Sequence, residues 1–223
     1  MGGRWELRGS PTPKMAKTDE SLVCGGGVDS ESHNHFHYMN SHFNLLAPFY
    51  DQVIQFTDLD KMLQVLDLPN AGILLDAGGG TGRVALALRP HVGSVIVADV
   101  SWGMLLQARQ KNLVTTSTET EHLPFTNNSF DRVLMVDALH HVVNQAETIR
   151  ELYRVLKPGG RLVIEEPDLR TFAVKMIAVA EKLALMRSHF LDPTWIAALF
   201  PLDANVKIEA EENTAWITAE KKL

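Results

Sequence analysis

The stretch Ile73–Leu88, ILLDAGGGTGRVALAL, decides how this chain folds. An apolar run, Ile73, Leu74 and Leu75, ends in Asp76 and then breaks into Gly78, Gly79, Gly80 and Gly82. Apolar spacing resumes at Val84, Leu86 and Leu88. That order predicts a strand, a tight glycine turn and a helix, the ligand corner of an open α/β sheet. Glycine is demanded where the backbone must turn sharply and a ligand approaches a position that a Cβ would occupy. The start of the following helix offers N–H groups to a polar or anionic edge.

The glycine spacing separates two ligand classes. A dinucleotide fingerprint reads G-x-G-x-x-G and passes a pyrophosphate. Here Asp76, Gly78, Gly80 and Gly82 give D-x-G-x-G-x-G. An acid at the strand end repels a pyrophosphate but suits an ammonium. That glycine spacing disfavours a nicotinamide-dependent oxidoreductase.

Downstream, Val95–Val97 forms a second apolar strand closing on Asp99, roughly 20 residues past the turn, where an acid accepts ribose hydroxyls. Ser101 is placed to cap the next helix, SWGMLLQARQ. LVTTST is β-branched and reads as a third strand. Val133–Val136 makes a fourth, ending at Asp137 and followed by His140 and His141. These three are the titratable groups nearest a ligand crevice at the carboxyl ends of the strands, and histidine is a base near neutral pH. Ile149, Leu152, Tyr153, Val155 and Leu156 line one face of a helix; Lys157-Pro158-Gly159-Gly160 reads as its stop and turn. RLVIEEP is a fifth strand, with Glu165 and Glu166 at the crevice edge. A long helix over 171–190 and a short one in DPTWIAALF precede two alternating segments, ANVKIEAEE and NTAWITAEKKL, which pair around Asn213.

Upstream, DLDKMLQVLDL is an amphipathic helix with Asp58 as its N-cap. Phe43, Leu46, Phe49, Tyr50 and Ile54 gather before it as a packing group and a lid over the crevice. Residues 1–32 carry Gly, Ser, Pro, Thr and Lys without apolar periodicity and read as a flexible arm, leaving 33–223 as one domain. His33, His35, His37 and His42 alternate, but no acid or cysteine completes a ligand set, so no metal is expected.

Composition excludes several classes. Net charge is −6 and there is no long basic run, which argues against a nucleic-acid surface. Cys24 is the only cysteine, so neither an intrachain disulfide nor a thiolate metal cluster forms. No apolar stretch reaches the roughly 18 residues of a membrane span, and no signal peptide is evident. A cytoplasmic enzyme is the default; its oligomeric state stays open.

Three strings, Asp76–Gly82, Asp99–Arg109 and Glu119–Asp131, followed by LKPGG, resemble the class I methyltransferases that use S-adenosylmethionine, over roughly Leu74 to Glu166. LLAPFYD and LPF…SFD…ALHHV resemble the ubiquinone and menaquinone C-methyltransferases within the type 11 family. The resemblance implies a Rossmann-like α/β fold, a doubly wound, seven-stranded, mostly parallel sheet with the last hairpin antiparallel. It implies S-adenosylmethionine as cofactor, held by Asp76, Ala77, Gly78, Gly80, Gly82, Asp99, Val100, Met104, Glu119, Thr120 and Asp137. In that frame Val100 or Met104 covers the adenine and Glu119 stands where the family has an Asp accepting the adenine amino group. Asp137, His140 and His141 are the catalytic candidates. The chain has D-A-L-H where adenine-N6 nucleic-acid methyltransferases carry N-P-P-Y. The implied acceptor is therefore a small molecule, with quinols and other aromatic or isoprenoid compounds the nearest class. A cofactor-binding partner subunit without chemistry of its own is the alternative.

Overall fold

The computed structural model describes residues 47, 51, 56, 58–171 and 189–223. The expected arm over 1–32, its boundary with the domain, the stretch from His33 to His42, the lid residues Phe43, Leu46, Phe49, Tyr50 and Ile54, and all but the ends of the helix expected over 171–190 lie outside the described residues.

Seven strands form one sheet: β1 (Asn70–Ala77), β2 (Val92–Asp99), β3 (Val114–Ser117), β4 (Phe130–Val136), β5 (Leu156–Pro167), β6 (Asn205–Glu211) and β7 (Thr214–Glu220). Their spatial order is β3-β2-β1-β4-β5-β7-β6. β1 to β5 run parallel, and β7 lies antiparallel between β5 and β6. The expected doubly wound sheet with an antiparallel last hairpin is therefore present. Strand order reverses between β1 and β4, so the chain ends leaving these two strands diverge and open a crevice between them.

Adjacent residues of a strand face opposite sides of the sheet, and both sides here are covered. On one side Leu74, Val97, Leu134, Val163 and Trp216 pack with three helices, α1 (Leu59–Leu66), α2 (Arg83–Leu88) and α3 (Trp102–Gln110). On the other, Leu75, Val133, Met135, Ile164 and Ile217 pack with α4 (Gln145–Val155) and α5 (Pro193–Ala198). This double burial explains why the central strands read as continuous apolar runs rather than alternating ones.

Local signals behaved unevenly. Ser101 caps α3 as expected, its Oγ accepting from Met104 N at 3.3 Å. Asn144 caps α4 in the same way, accepting from Glu147 N at 3.0 Å. Asp58 precedes α1, but its carboxylate makes no capping hydrogen bond; at φ −97° and ψ 43° it lies outside the extended region that aims a capping side chain at the helix. Lys157-Pro158-Gly159-Gly160 is not a separate turn. It forms the opening of the twelve-residue β5, and the pairing with β4 shifts register there. Gly159, at φ +74°, donates its N–H to Lys221 O, so the irregular segment is satisfied by the chain's last strand region.

Phe130 begins β4 with 2% exposure and meets Phe125 edge to face, centroids 4.9 Å apart. Truncation leaves a void that rigid strand ends on both sides cannot fill. Phe130→Ala should lower unfolding free energy by about 3–5 kcal/mol, read from the denaturant midpoint; a loss under about 1 kcal/mol would show that the site collapses freely.

Candidate functional site

The glycine turn is built by backbone contacts to neighbouring strand ends. Gly78 N and Gly79 N both donate to Ala98 O of β2, at 2.7 and 3.2 Å. Gly78 has φ +70°, and a Cβ there would stand 2.7 Å from Ala138 Cβ in the loop leaving β4. Only glycine lets the β1 turn and the β4 exit close on each other. Gly80, at φ +55°, donates its N–H to Asp99 Oδ2 at 2.8 Å, while Ser101 N donates to Asp99 Oδ1 at 2.7 Å. Burial pushes the Asp99 carboxyl up, and the amides of Ser101 and Gly80 pull it back. Each carboxylate oxygen has further lone-pair capacity for a ligand hydroxyl.

Asp76 ends the first strand at 1% exposure, beneath the turn rather than on its surface. Its Oδ2 has no hydrogen-bond partner, and burial pushes the carboxyl up to about 7, against the pull of Arg83. Its carboxylate lies against Gly79, where a Cβ would stand 2.6 Å from it. Glu165, two strands away at 9% exposure, also has an unpartnered oxygen, Oε2. Burial and then Asp137 push it up to about 8, and Arg83 again opposes.

Asp137 leaves β4 in the left-handed region, φ 49°, a strained conformation for a residue with a side chain. Its N–H donates to Glu165 O at 3.0 Å, and its Oδ2 accepts from Arg83 Nη2 at 3.3 Å. Burial and Glu166 raise its carboxyl, while Arg83 lowers it. Sequence reading missed Arg83, the residue after the last glycine, because nothing local distinguishes it from a solvated helix residue.

Glu166 points to the opposite side of the sheet and organises the loop after Asp137. Oε1 accepts from Ala138 N (3.1 Å) and Leu139 N (2.7 Å), and Oε2 lies 2.6 Å from His140 Nδ1. A carboxylate only accepts, so Nδ1 carries a proton, and Nε2 is the nitrogen at which the ring gains or loses its second one. His140 is 5% exposed and stacks on Phe190, centroids 4.3 Å apart and planes 14° from parallel. His141 tilts against His140 at 4.0 Å. Burial and then the charge of His140 hold His141 down at about 3. Of the two histidines named from sequence, His140 is the one set against Glu166.

A cleft of about 380 Å³ opens beyond β2 and β3, lined by Val100, Ser117, Thr118, Glu119 and His122. Glu119 is exposed there, its Oε2 3.4 Å from His122 Nδ1. Three other sequence-named residues turn away from it. Ala77 is fully buried in β1, Met104 is 2% exposed beneath α3, and the Thr120 hydroxyl pairs with buried Thr148 at 3.2 Å. Beside the turn, Lys111 Nζ bonds Asp51 and also Thr81 O, the latter at 2.8 Å. No cluster of three or more His, Cys, Asp or Glu suited to a metal occurs among the described residues.

Residues 75–164 match a protein-family model described as a methyltransferase domain. The chain is 37% identical over 111 residues to the ubiquinone/menaquinone biosynthesis C-methyltransferase UbiE of Coxiella burnetii, covering 45% of this chain and 44% of that protein. It is 31% identical over 169 residues to the protein of the same name from Pseudomonas aeruginosa, covering 63% and 66%. The chain thus spans less than half of the first relative and about two thirds of the second. Among solved structures, a Bacillus halodurans protein described as a putative methyltransferase superposes with TM-score 0.64 at 21% identity, covering 75% of this chain and 100% of that one. A Thermotoga maritima protein described as an S-adenosylmethionine-dependent methyltransferase, possible histamine N-methyltransferase, gives 0.65 at 21% identity, covering 85% and 99%. The structural likenesses show the fold.

The raised carboxyls make stability pH-dependent with a fixed sign. A fold that raises a carboxyl favours its neutral form. That stability is complete below the ordinary carboxylate range and disappears as pH climbs through the folded values, about 7 for Asp76 and about 8 for Glu165. The denaturation midpoint should fall from about pH 4 to about pH 8 and level off above that, and Glu165→Gln should flatten the upper part of the fall and exceed the parent chain at the alkaline end. A variant keeping the parent slope would show that Glu165 ionises without cost.

Proposed function

Because the chain carries a class I S-adenosylmethionine-dependent methyltransferase domain, we propose that it methylates a small-molecule acceptor, with a ring carbon of a quinol as the acceptor class and His140 as the base. Two lines support this reading: the named activity of the relatives, and above all Asp137 beside the glycine turn with His140, three residues on, held by Glu166. A cytoplasmic setting belongs to the same proposal, supported by the single cysteine; among the described residues no helix is long and apolar enough to cross a membrane.

The residues present fit the cofactor. The cleft of Val100, Ser117, Thr118, Glu119 and His122 suits a flat base, and Asp99 with Gly80 suits a ribose. The carboxyls of Asp76, Asp137 and Glu165 supply a negative field for a cationic end. S-adenosylmethionine supplies an activated methyl group on a sulfonium. The chain's own work is alignment, exclusion of water and removal of a proton. Glu166 fixes the His140 tautomer and orientation, and the Nε2 lone pair takes the hydroxyl proton of a phenol. The resulting phenolate carries electron density on the ring carbon beside it, which becomes the nucleophile; once methylated, that carbon would lose its hydrogen as a proton and the oxygen would regain the proton held by His140, restoring the phenol. His141, held down at about 3, is too weak a base for that step. Asp137, beside the turn, sets the charge facing the reacting centre.

The acceptor class is tested by supplying methyl-labelled cofactor with demethylated benzoquinols and naphthoquinols that bear an isoprenoid tail. Label should appear on a ring carbon. Cofactor binding with no label in any acceptor would favour the partner-subunit alternative. With an acceptor in hand, His140→Gln should lower kcat by about 10²- to 10⁴-fold while leaving cofactor affinity intact. His141→Gln should stay within a few-fold of the parent. Equal rates in both variants and the parent would remove histidine from the chemistry.

A further inference from the structure

Arg83 is an under-used cation. Its side chain is 14% exposed, yet among the described residues it makes one side-chain hydrogen bond, the 3.3 Å contact to Asp137. A guanidinium has five N–H donors, and leaving them unsatisfied when buried is costly. Arg161, at 24% side-chain exposure, makes two, to Val65 O and Glu220, and two further arginines make more. Arg132, at 9% side-chain exposure, makes four hydrogen bonds to Leu66 O, Asp131 O, Asp67 O and Asp67 Oδ2. Arg154, at 29%, makes five, to Glu151, Phe125 O, Asn127 and Leu123 O. The second cation beside the turn, Lys111, is committed to Asp51 and to Thr81 O.

The surroundings of Arg83 are unbalanced in a complementary way. Its charge reaches Asp76, Asp137 and Glu165, and two of these have a buried oxygen with no partner. An amino-acid end brings both signs: an ammonium that suits the carboxyls and a carboxylate that they repel. The group able to receive that carboxylate is the guanidinium with donors to spare, and planar guanidinium–carboxylate pairing is bidentate and strong.

We propose that Arg83 binds the α-carboxylate of the cofactor's methionine end, adding or exchanging this partner for Asp137 and so setting the choice of a ligand that carries the carboxylate over one that lacks it. The proposal rests on the reading of the site as one for S-adenosylmethionine. It gives Asp137 a second state in which its carboxylate is no longer the principal partner of Arg83.

Ligand chemistry tests this without relying on turnover. Calorimetry on the full chain would compare S-adenosylmethionine, its decarboxylated analogue and 5′-methylthioadenosine, which lacks the whole amino-acid end. In an acid-rich site the decarboxylated analogue, being more cationic, should bind better unless a cation receives the carboxylate. The parent chain should instead favour S-adenosylmethionine by at least about tenfold. Arg83→Gln should weaken S-adenosylmethionine by about 30-fold, some 2 kcal/mol. The decarboxylated analogue and methylthioadenosine should stay within about threefold, which also shows that the variant is folded. Should Arg83→Gln fail to fold, Asp137→Asn serves in its place, since it should keep or widen the parent's preference for the carboxylated ligand. Equal affinity of the parent for the two cationic ligands, equal losses of both in Arg83→Gln, or a preference that vanishes in Asp137→Asn would overturn the proposal. A parent chain that binds none of the three would overturn the cofactor reading itself.

Discussion

Three strand ends meet where Gly78 has no side chain. Its N–H reaches Ala98 O at the end of β2 while its bare Cα faces Ala138 beyond β4. The candidate site among the described residues is arranged around that contact. It brings Asp99 within reach of Gly80 N, and it sets the strained Asp137 beside α2, where Arg83 finds it. A methyl group at Gly78 would push the β4 exit away and separate the two halves of the crevice that strand reversal opens. The sheet supplies the crevice, but the missing side chain sets its width.

Around that contact the protein gathers more carboxyls than its own cations can partner. Asp76, Asp137 and Glu165 share the influence of Arg83, and burial raises all three carboxyls. Such an arrangement is unfavourable for the fold alone, because desolvated like charges repel and unpartnered oxygens go without hydrogen bonds. It becomes favourable when a cation arrives. Glu166 stands apart from this tension. Its two oxygens take two amides and an imidazole, so the loop that carries His140 is fixed while the opposite side of the sheet stays electrostatically unsatisfied.

Most of the fold was legible in the sequence because its signals are local or periodic. The glycine break after Asp76, the Ser101 cap and the hairpin around Asn213 each declare themselves within a few residues. The mostly parallel sheet needed the family resemblance, since periodicity says nothing of strand order. What escaped depends on distant partners. Arg83 matters through an acid 54 positions away, and Glu166 through amides 27 and 28 positions back. LKPGG looked like a turn because its composition is that of one; pairing with the Lys221 region keeps it in the sheet. Burial likewise separated neighbours that sequence treats alike. Val100 lines the cleft while Met104 and the Thr120 hydroxyl face inward.

The strand order carries a consequence for how the chain is made. β5 pairs on its outer edge with β7, and β6, synthesised between them, lies farther out. On the ribosome, the Leu162-Val163-Ile164 segment of β5 therefore waits with an open edge until the residues of β7 have emerged. An apolar run with unpaired amides invites mispairing with neighbouring chains. Arg161 precedes this run and Glu165 and Glu166 follow it. Charges that flank an unavoidable sticky strand act as gatekeepers against aggregation. The two glutamates that shape the finished crevice are thus also placed to protect the unfinished one.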